Sequence, residues 1–192
     1  MTKDASFTLF GDLRSGNCLK VVYAADHLGL AHTVEPIDIM TGGSRTEAYL
    51  AMNPAGQVPM VRFADGRTLA QSNAIMLHLA EGSDLIPTDG FERAKMLEWM
   101  FWEQYSHEPY VAVCRFHMVY QGRAKDEREP DRVTRGEGAL DLMESHLAHH
   151  EYLAGGAVSL ADISLIAYTQ LAGEGGFDLS TRPGIQRWIA RV

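Results

Sequence analysis

The stretch that decides the fold is residues 53–82, with the sequence NPAGQVPMVRFADGRTLAQSNAIMLHLAEG. Over residues 60–63, MVRF, side chains facing the core alternate with side chains facing away, which is the period of a half-buried strand. Asp65-Gly66 then predicts a two-residue type I′ turn, because that turn needs positive φ at both central positions. The segment therefore predicts a strand, a turn and a second strand, followed by a helix.

The helix at the end of this stretch begins with polar residues. Ser72 stands at the expected N-cap, and Gly82 marks the expected C-terminal end. Gln71-Ser72 places two small polar side chains at a helix N-terminus, where free N–H groups favour an anion. Pro59 lies at the entrance of the first strand, where it cannot donate to a ladder. The anion site and the proline go beyond what a hairpin and helix require.

Upstream of this stretch, strands and helices alternate. Residues 7–10, FTLF, predict a strand, and residues 16–29 carry apolar side chains on one helical face. Residues 32–37 predict a second strand. Ser44 and Glu47 have the spacing of a capping box, which predicts a short helix before the central stretch. The order of elements over the first 82 residues is therefore β-α-β-α-β-β-α.

Downstream, the composition changes and no strand is indicated. Residues 83–92, SDLIPTDGFE, have the composition of a linker. Residues 93–120 predict a long aromatic helix, which Pro109 should kink or split because it lacks an N–H. Residues 122–137 hold five basic and five acidic side chains and are expected to form a solvated connection. Further helices are indicated at 140–147, 160–172 and 185–192. We therefore expect an α/β domain over 1–82, a linker over 83–92 and an all-helical domain over 93–192.

Composition restricts the class of function. The 192 residues carry a net charge of −8, which argues against a general nucleic-acid binder. No apolar run approaches the ~20 residues of a membrane helix. The start of the chain, MTKDASF, has no apolar signal region, so export is not expected. Cys18 and Cys114 do not make a disulfide framework, and a reducing cytoplasm is the expected location.

Three segments together resemble the cytosolic glutathione transferase superfamily. They are NPAGQVP at 53–59, LAQSNAI at 69–75 and SLADISL at 159–165. They are similar to the N-P-x-G-x-V-P run of that family, its [E/Q]-[S/T]-x-A-I segment and its S/T-x-x-D capping box. All three occur in the family's order and span essentially the whole chain. The resemblance implies a thioredoxin-like N-terminal domain, a helical-bundle C-terminal domain, a homodimer and glutathione as co-substrate.

The resemblance also implies how glutathione is held. The family's run ends in a cis-proline, so Val58–Pro59 is expected to be cis. An extended tripeptide would then pair with the backbone of Val58 by two hydrogen bonds, as an added strand does. Gln57 is a further candidate for contact with the cysteinyl-glycine part.

The γ-glutamyl end of glutathione is expected at Gln71 and Ser72. There the Ser72 hydroxyl and the helix N–H groups would hold its α-carboxylate. A plain N-cap is the alternative role for Ser72. Ser44 matches, by its spacing from the central stretch, a position that contacts the glycine end in some classes. Its predicted capping box with Glu47 is an alternative explanation.

The catalytic group is expected in the loop GDLRSGNC, after the first strand. Ser15 is the first candidate, because the resemblance to theta- and zeta-like classes places a serine there to stabilise the thiolate. Asn17 is the second candidate, through its side-chain amide. Cys18 would instead imply a mixed disulfide with glutathione, but it shares a helical face with Val21 and Ala25, which favours a place in the core.

The electrophile is expected against the first long helix of the second domain. Trp102, Tyr105 and Tyr110 are the candidate pocket residues, and packing in the core is their alternative role. His146, His149 and His150 have a spacing compatible with a metal, but no further ligand accompanies them, so no metal is expected.

The sequence therefore predicts an enzyme, a glutathione transferase that adds the glutathione thiolate to a small hydrophobic electrophile. One alternative is a glutathione-dependent disulfide reductase that uses Cys18. The other is a binding protein that uses the fold as an adaptor without catalysis, since fold does not fix function.

Overall fold

A computed structural model describes residues 7–192 and divides the chain into two compact units. The first unit ends at Ser83, and the second runs from Asp84 to Val192. The expectation about export concerns the start of the chain, of which residues 1–6 lie outside the described residues. Within the described part, no helix combines the length and apolar character needed to cross a bilayer.

The first unit has the predicted order of elements. They are β1 (Phe7–Gly11), α1 (Gly16–His27), β2 (His32–Pro36), a 3₁₀ turn (Gly43–Arg45), α2 (Glu47–Met52), β3 (Met60–Phe63), β4 (Thr68–Ala70) and α3 (Ser72–Leu79). The sheet order is β2-β1-β3-β4, with β1 parallel to β2 and antiparallel to β3, and with β3 antiparallel to β4. This mixed sheet confirms the thioredoxin-like fold of the first unit.

The central strand β1 is buried on both faces. Phe7 and Leu9 pack on one face with residues of α1, β3 and α3. Phe10 points to the opposite face, because successive side chains of a strand alternate, and it packs there with Tyr49 and Met60. Met60 is fully buried, so the prediction of a one-sided, half-buried β3 is wrong at its first residue.

The hairpin between β3 and β4 differs from the prediction. Gly66 has φ 86° while Asp65 does not have positive φ, so the turn is not type I′. The N–H of Gly66 donates to the carbonyl of Phe63 at 2.9 Å, and the N–H of Phe63 donates to the carbonyl of Arg67 at 2.9 Å. This is the three-residue hairpin, in which a glycine with positive φ follows an ordinary turn.

The start of α2 also differs from the prediction. Thr46 is the N-cap, and its hydroxyl accepts a hydrogen bond from the N–H of Tyr49 at 3.3 Å. Ser44 lies in the preceding 3₁₀ turn and is buried. The predicted capping box of Ser44 with Glu47 is therefore wrong. The 3₁₀ turn moves the N-cap from Ser44 to Thr46, two residues later, and threonine is also a favourable N-cap residue.

The second unit consists of helices, and no strand occurs in residues 84–192. They are α4 (Gly90–Trp102), a π-helical segment (Glu103–His107), α5 (Glu108–Val119), a 3₁₀ turn (Lys125–Glu127), α6 (Pro130–Leu147), α7 (Leu160–Thr169), a 3₁₀ turn (Ala172–Gly175) and α8 (Pro183–Arg191). The helical architecture predicted after the α/β unit is confirmed. The last residues of the predicted linker, 90–92, form the first turn of α4.

The long aromatic helix is split as predicted. Pro109 lies in the first turn of α5, directly after the π-helical segment that separates α4 from α5. Because the helical backbone runs on through that segment, the missing N–H of Pro109 removes one regular helical hydrogen bond. The π-helical segment before it was not predicted. The charged stretch 122–137 is only partly a connection, because α6 begins at Pro130 and Arg135 pairs with an acidic residue one turn before it.

Candidate active site

The first loop of the chain and the loop before β3 meet at Gly11. A Cβ atom at Gly11 would lie 2.5 Å from the Sγ atom of Cys18 and 3.9 Å from the Cβ atom of Val58. Glycine therefore allows the end of β1 to approach Cys18 of α1 this closely, while Val58 lies at an ordinary van der Waals distance. The Val58–Pro59 peptide bond is cis, which confirms the expected isomer.

Two side chains of the first unit hold the backbone just before Val58. The carbonyl of Gln57 accepts hydrogen bonds from the hydroxyl of Tyr49 and from the Nδ2 atom of Asn53, both at 2.7 Å. Burial raises the pKa of Tyr49 to about 12, so this hydroxyl remains a donor at neutral pH. Sequence reasoning missed both residues, although Asn53 opens the NPAGQVP segment. The side chain of Gln57 itself is exposed.

The N-terminus of α3 is built around an unusual backbone conformation. Gln71 is the N-cap, with φ 71° and ψ 112°, and it is the one non-glycine residue with positive φ among residues 7–192. Such conformations cost about 1–3 kcal/mol and cluster at functional sites. Ser72 is the first residue inside the helix, so its predicted N-cap position is wrong by one residue.

Ser72 joins the N-termini of two helices. Its hydroxyl donates to the Oδ1 atom of Asn17, in the first turn of α1, at 3.1 Å. The first N–H groups of a helix have no partner within the helix and carry partial positive charge. Two such termini therefore lie side by side, on the same unit as the cis-Pro59 loop.

Ser15 lies at the start of α1. It is the N-cap residue, with an extended backbone, and its hydroxyl makes no capping hydrogen bond. Its carbonyl accepts from the N–H groups of Cys18 and Leu19, both at 3.0 Å. The plain N-cap role therefore does not account for the Ser15 side chain.

Cys18 belongs to the core of the first unit. Its side chain is fully buried among Val21, Ala25 and their neighbours, which confirms the core interpretation. Burial raises the pKa of the Cys18 thiol to about 11, against the smaller lowering by hydrogen bonds from Asp12 and Ser15. The thiol therefore stays protonated at neutral pH, which disfavours it as a nucleophile. Cys114 is buried as well.

Ser44 lies beside the loop that contains Gln57. A Cβ atom at Gly56 would lie 3.1 Å from the carbonyl oxygen of Ser44, so the two segments pack closely. The neighbouring Arg45 donates from Nη1 to the carbonyl of Ala55 at 3.2 Å. These contacts link the 3₁₀ turn before α2 to the predicted glutathione-binding loop.

The three predicted pocket aromatics of the second unit have different neighbours. Trp102 packs edge-on against Trp99, with ring centroids 5.2 Å apart. Tyr105 is 83% exposed. Tyr110 lies under the guanidinium of Arg135, which donates from Nη1 to the Tyr110 hydroxyl at 3.3 Å. The π-helical segment accounts for part of this divergence, because its wider turn changes the helical register after Trp102.

Comparison with known proteins identifies the family. The family model of the glutathione S-transferase N-terminal domain matches residues 14–81, and the family model of the C-terminal domain matches residues 126–191. Glutathione S-transferase 3 of Zea mays is 30% identical, over 96% of this chain and 87% of its own. The crystal structure of a glutathione S-transferase from Pseudomonas fluorescens superimposes with a TM-score of 0.93 at 47% identity, over 97% of this chain and 94% of that one.

A glutathione transferase homologue from Drosophila mojavensis, whose structure contains bound glutathione, matches with a TM-score of 0.86 at 25% identity. It covers 97% of this chain, which covers 87% of that one. A thioredoxin-like unit followed by a helical unit, with these matches in both, defines a two-domain transferase fold. The chain belongs to the glutathione S-transferase family. These relatives favour a transferase over the disulfide reductase that Cys18 would imply.

Proposed function

We propose that the protein binds glutathione on its first unit and adds the thiolate to a small hydrophobic electrophile. The observation that carries this proposal is the hydrogen bond from Ser72 to Asn17, which sets two helix N-termini side by side. Gln71 and Ser72 would receive the γ-glutamyl carboxylate, and the backbone of Val58, before cis-Pro59, would pair with the tripeptide. Further candidate contacts with glutathione are Gln57 and Ser44.

Ser15 is the group that we propose to activate the thiol. A free thiol has a pKa of ~8.5 and is mostly protonated at neutral pH. A hydroxyl donor and the N-terminus of α1 would stabilise the thiolate and lower that pKa. Asn17 is the second candidate, but its Oδ1 atom accepts the Ser72 hydroxyl, which favours a role in positioning.

The electrophile is proposed to contact aromatic rings of the second unit. Trp102, Tyr105 and Tyr110 remain the candidates for this contact, with Tyr105 the most accessible of the three. A cytoplasmic location is part of the same proposal, since Cys18 and Cys114 are both free thiols.

Stabilisation by glutathione tests the proposed function. At a ligand concentration 100-fold above Kd, the wild type should gain about 2.7 kcal/mol of unfolding free energy. Ser72→Ala should weaken binding about tenfold. On binding, the Ser72 hydroxyl would turn from Asn17 to donate to the carboxylate, and the variant loses this hydrogen bond to a charged group. Thermal denaturation with increasing glutathione measures both effects. Ser83→Ala, four residues after the end of α3, is the matched control, because it also removes a serine hydroxyl that donates a hydrogen bond; this variant should bind as the wild type does. If glutathione does not raise the melting temperature of the wild type, the result would support a binding protein that uses the fold as an adaptor without catalysis.

Replacing Cys18 with alanine separates the transferase from the reductase. We expect conjugation activity to stay within about threefold of the wild type, because the buried thiol is protonated at neutral pH. Steady-state rates with glutathione and a chlorinated dinitrobenzene measure this. Cys114→Ala, which removes a similar volume from the second unit, controls for a loss of packing. Loss of activity in a folded Cys18→Ala protein, with full activity in the control, would favour the reductase.

A homodimer is also part of the proposal. Phe91, Phe101 and Tyr105 are exposed large side chains, spaced ten and four residues apart on α4 and the π-helical segment. This spacing puts them on one side of the helix, and exposed apolar patches mark interaction surfaces. We expect sedimentation to give twice the chain mass of 21.2 kDa and Phe101→Ser to weaken association. A wild-type monomer at micromolar concentration would contradict the proposal.

A further inference from the structure

A cavity of about 230 Å³ lies in the second unit, between the end of α6 and one side of α8. Its lining includes Arg187 and Arg191 from α8, and His149, His150 and Glu151 from the segment after α6. Basic or protonatable side chains therefore outnumber the single acidic one, in a chain whose net charge is −8. None of these residues belongs to the candidate active site.

Arg187 and Arg191 are one helical turn apart on α8. Like charges at i and i+4 repel each other and destabilise a helix by a few tenths of a kcal/mol. Arg187 is exposed, and within residues 7–192 the structure gives it no ion pair or hydrogen bond through its side chain. An anion that contacts both guanidinium groups would remove this repulsion.

Arg191 is already held in place. Its Nη1 atom donates to the carbonyl of Glu151 at 2.9 Å, and its guanidinium lies 5.7 Å from the ring centroid of Tyr152. A guanidinium that is fixed before binding loses less entropy when it receives a ligand.

The acidic groups nearby leave this side of the cavity open to an anion. The Glu151 carboxylate lies 3.5 Å from Arg191 and is 75% exposed, so their pair is a loose surface contact. Glu144 accepts the N–H groups of Gly184 and Ile185, both at 2.9 Å, and so binds the N-terminal end of α8. An anion would therefore lie toward the C-terminal half of α8, beside Arg187 and Arg191.

We propose that this cavity binds a small multivalent oxyanion of the phosphate type between Arg187 and Arg191. Planar guanidinium groups match phosphate oxygens with paired hydrogen bonds. This site is independent of the proposed glutathione site, since every residue that forms it lies in the second unit.

Calorimetric titration with inorganic phosphate, at constant ionic strength maintained with chloride, tests the proposal. We expect saturable binding to the wild type in the millimolar range. Arg187→Gln should weaken it about tenfold, because one charged donor pair is lost. Arg187 is exposed, so this variant should fold normally.

Arg135→Gln is the matched control for net charge. Arg135 lies on α6, about 18 Å before the end of that helix, and pairs with Asp131 at 3.0 Å. The Arg135→Gln variant should bind phosphate as the wild type does. No saturable binding to the wild type would overturn the proposal. Equal affinity of Arg187→Gln and the wild type would also overturn it, because phosphate would then bind elsewhere. Equal weakening in Arg187→Gln and Arg135→Gln would overturn it as well, because it would indicate only an effect of long-range charge. A repeat with Ser72→Ala tests whether the N-terminus of α3 binds phosphate instead, and unchanged binding there supports the cavity.

Discussion

Ser15→Ala is expected to lower kcat for glutathione conjugation by about 50-fold near pH 6.5, with little change in KM for glutathione. If the hydrogen bond from Ser15 holds the pKa of the bound thiol near ~6.5, about half of it is thiolate at that pH. Without the hydroxyl, the thiol would return toward ~8.5, and only ~1% would be thiolate. The tripeptide would still bind, because Ser15 is not proposed to contact its backbone or carboxylates.

The same change predicts a dependence on pH. The wild-type rate should level off above the lowered pKa, whereas the variant rate should keep rising until pH passes ~8.5. The deficit should therefore shrink as pH rises and nearly vanish by about pH 9. Rates with a chlorinated dinitrobenzene across this range, and the ultraviolet absorbance of bound thiolate, measure it. A constant deficit at every pH would show that Ser15 does not set the thiol pKa.

Asn17→Ala is the comparison that separates the two catalytic candidates. The Oδ1 atom of Asn17 accepts the Ser72 hydroxyl, so its loss should release Ser72 and raise KM for glutathione more than it lowers kcat. Should Asn17→Ala instead show the pH-dependent loss of kcat, the side-chain amide of Asn17 would be the thiolate donor in place of the Ser15 hydroxyl.

The order of elements in the first unit was predictable because each segment carries its own local signal. The details of turns were not. Asp65-Gly66 suits both a two-residue turn and a longer turn with glycine at its last position. The choice depends on strand register, which pairs Val61 with Leu69 and is set by which side chains the sheet buries. Register is a tertiary property that a dipeptide does not specify.

The candidate site was predictable only at the level of which residues contribute to it. Ser72 and Asn17 are 55 positions apart, and their hydrogen bond depends on α1 and α3 packing on the same face of the sheet. The backbone of Gln71 likewise has a positive φ that only the folded chain imposes. The cis bond at Pro59 was expected from family resemblance, because most bonds before proline are trans in folded proteins.

Asp162 illustrates how a buried carboxylate can be structural, as its S-x-x-D spacing indicates. Ser159 caps α7, and the Asp162 side chain accepts from the N–H and hydroxyl of Ser159 at 3.0 Å. Its other oxygen accepts from the N–H of Leu153 and from Nε1 of Trp188, both at 2.9 Å. Burial raises the pKa of Asp162 even though all four donors favour its charged form.

Asp162→Ala is expected to lower the unfolding free energy of the second unit by about 4 kcal/mol, since it leaves several buried donors without an acceptor. For a protein of this size that corresponds to a fall in Tm of about 8–16 °C. Asp162→Asn should cost about half as much, because its carbonyl oxygen can still accept from Leu153 and Trp188. Thermal and urea denaturation measure both variants.

The exposed N-cap Asp89 supplies the control for Asp162. Its carboxylate accepts from the N–H groups of Phe91 and Glu92 at 3.0 Å, and Asp89→Ala should cost only about 1 kcal/mol. Folded Asp162→Ala protein should keep the wild-type kcat at low temperature, because its effect is on the fraction of folded molecules. Equal destabilisation by the two alanine variants would show that burial of the Asp162 network adds nothing to an ordinary cap. A loss of kcat in fully folded protein would instead give Asp162 a part in the chemistry.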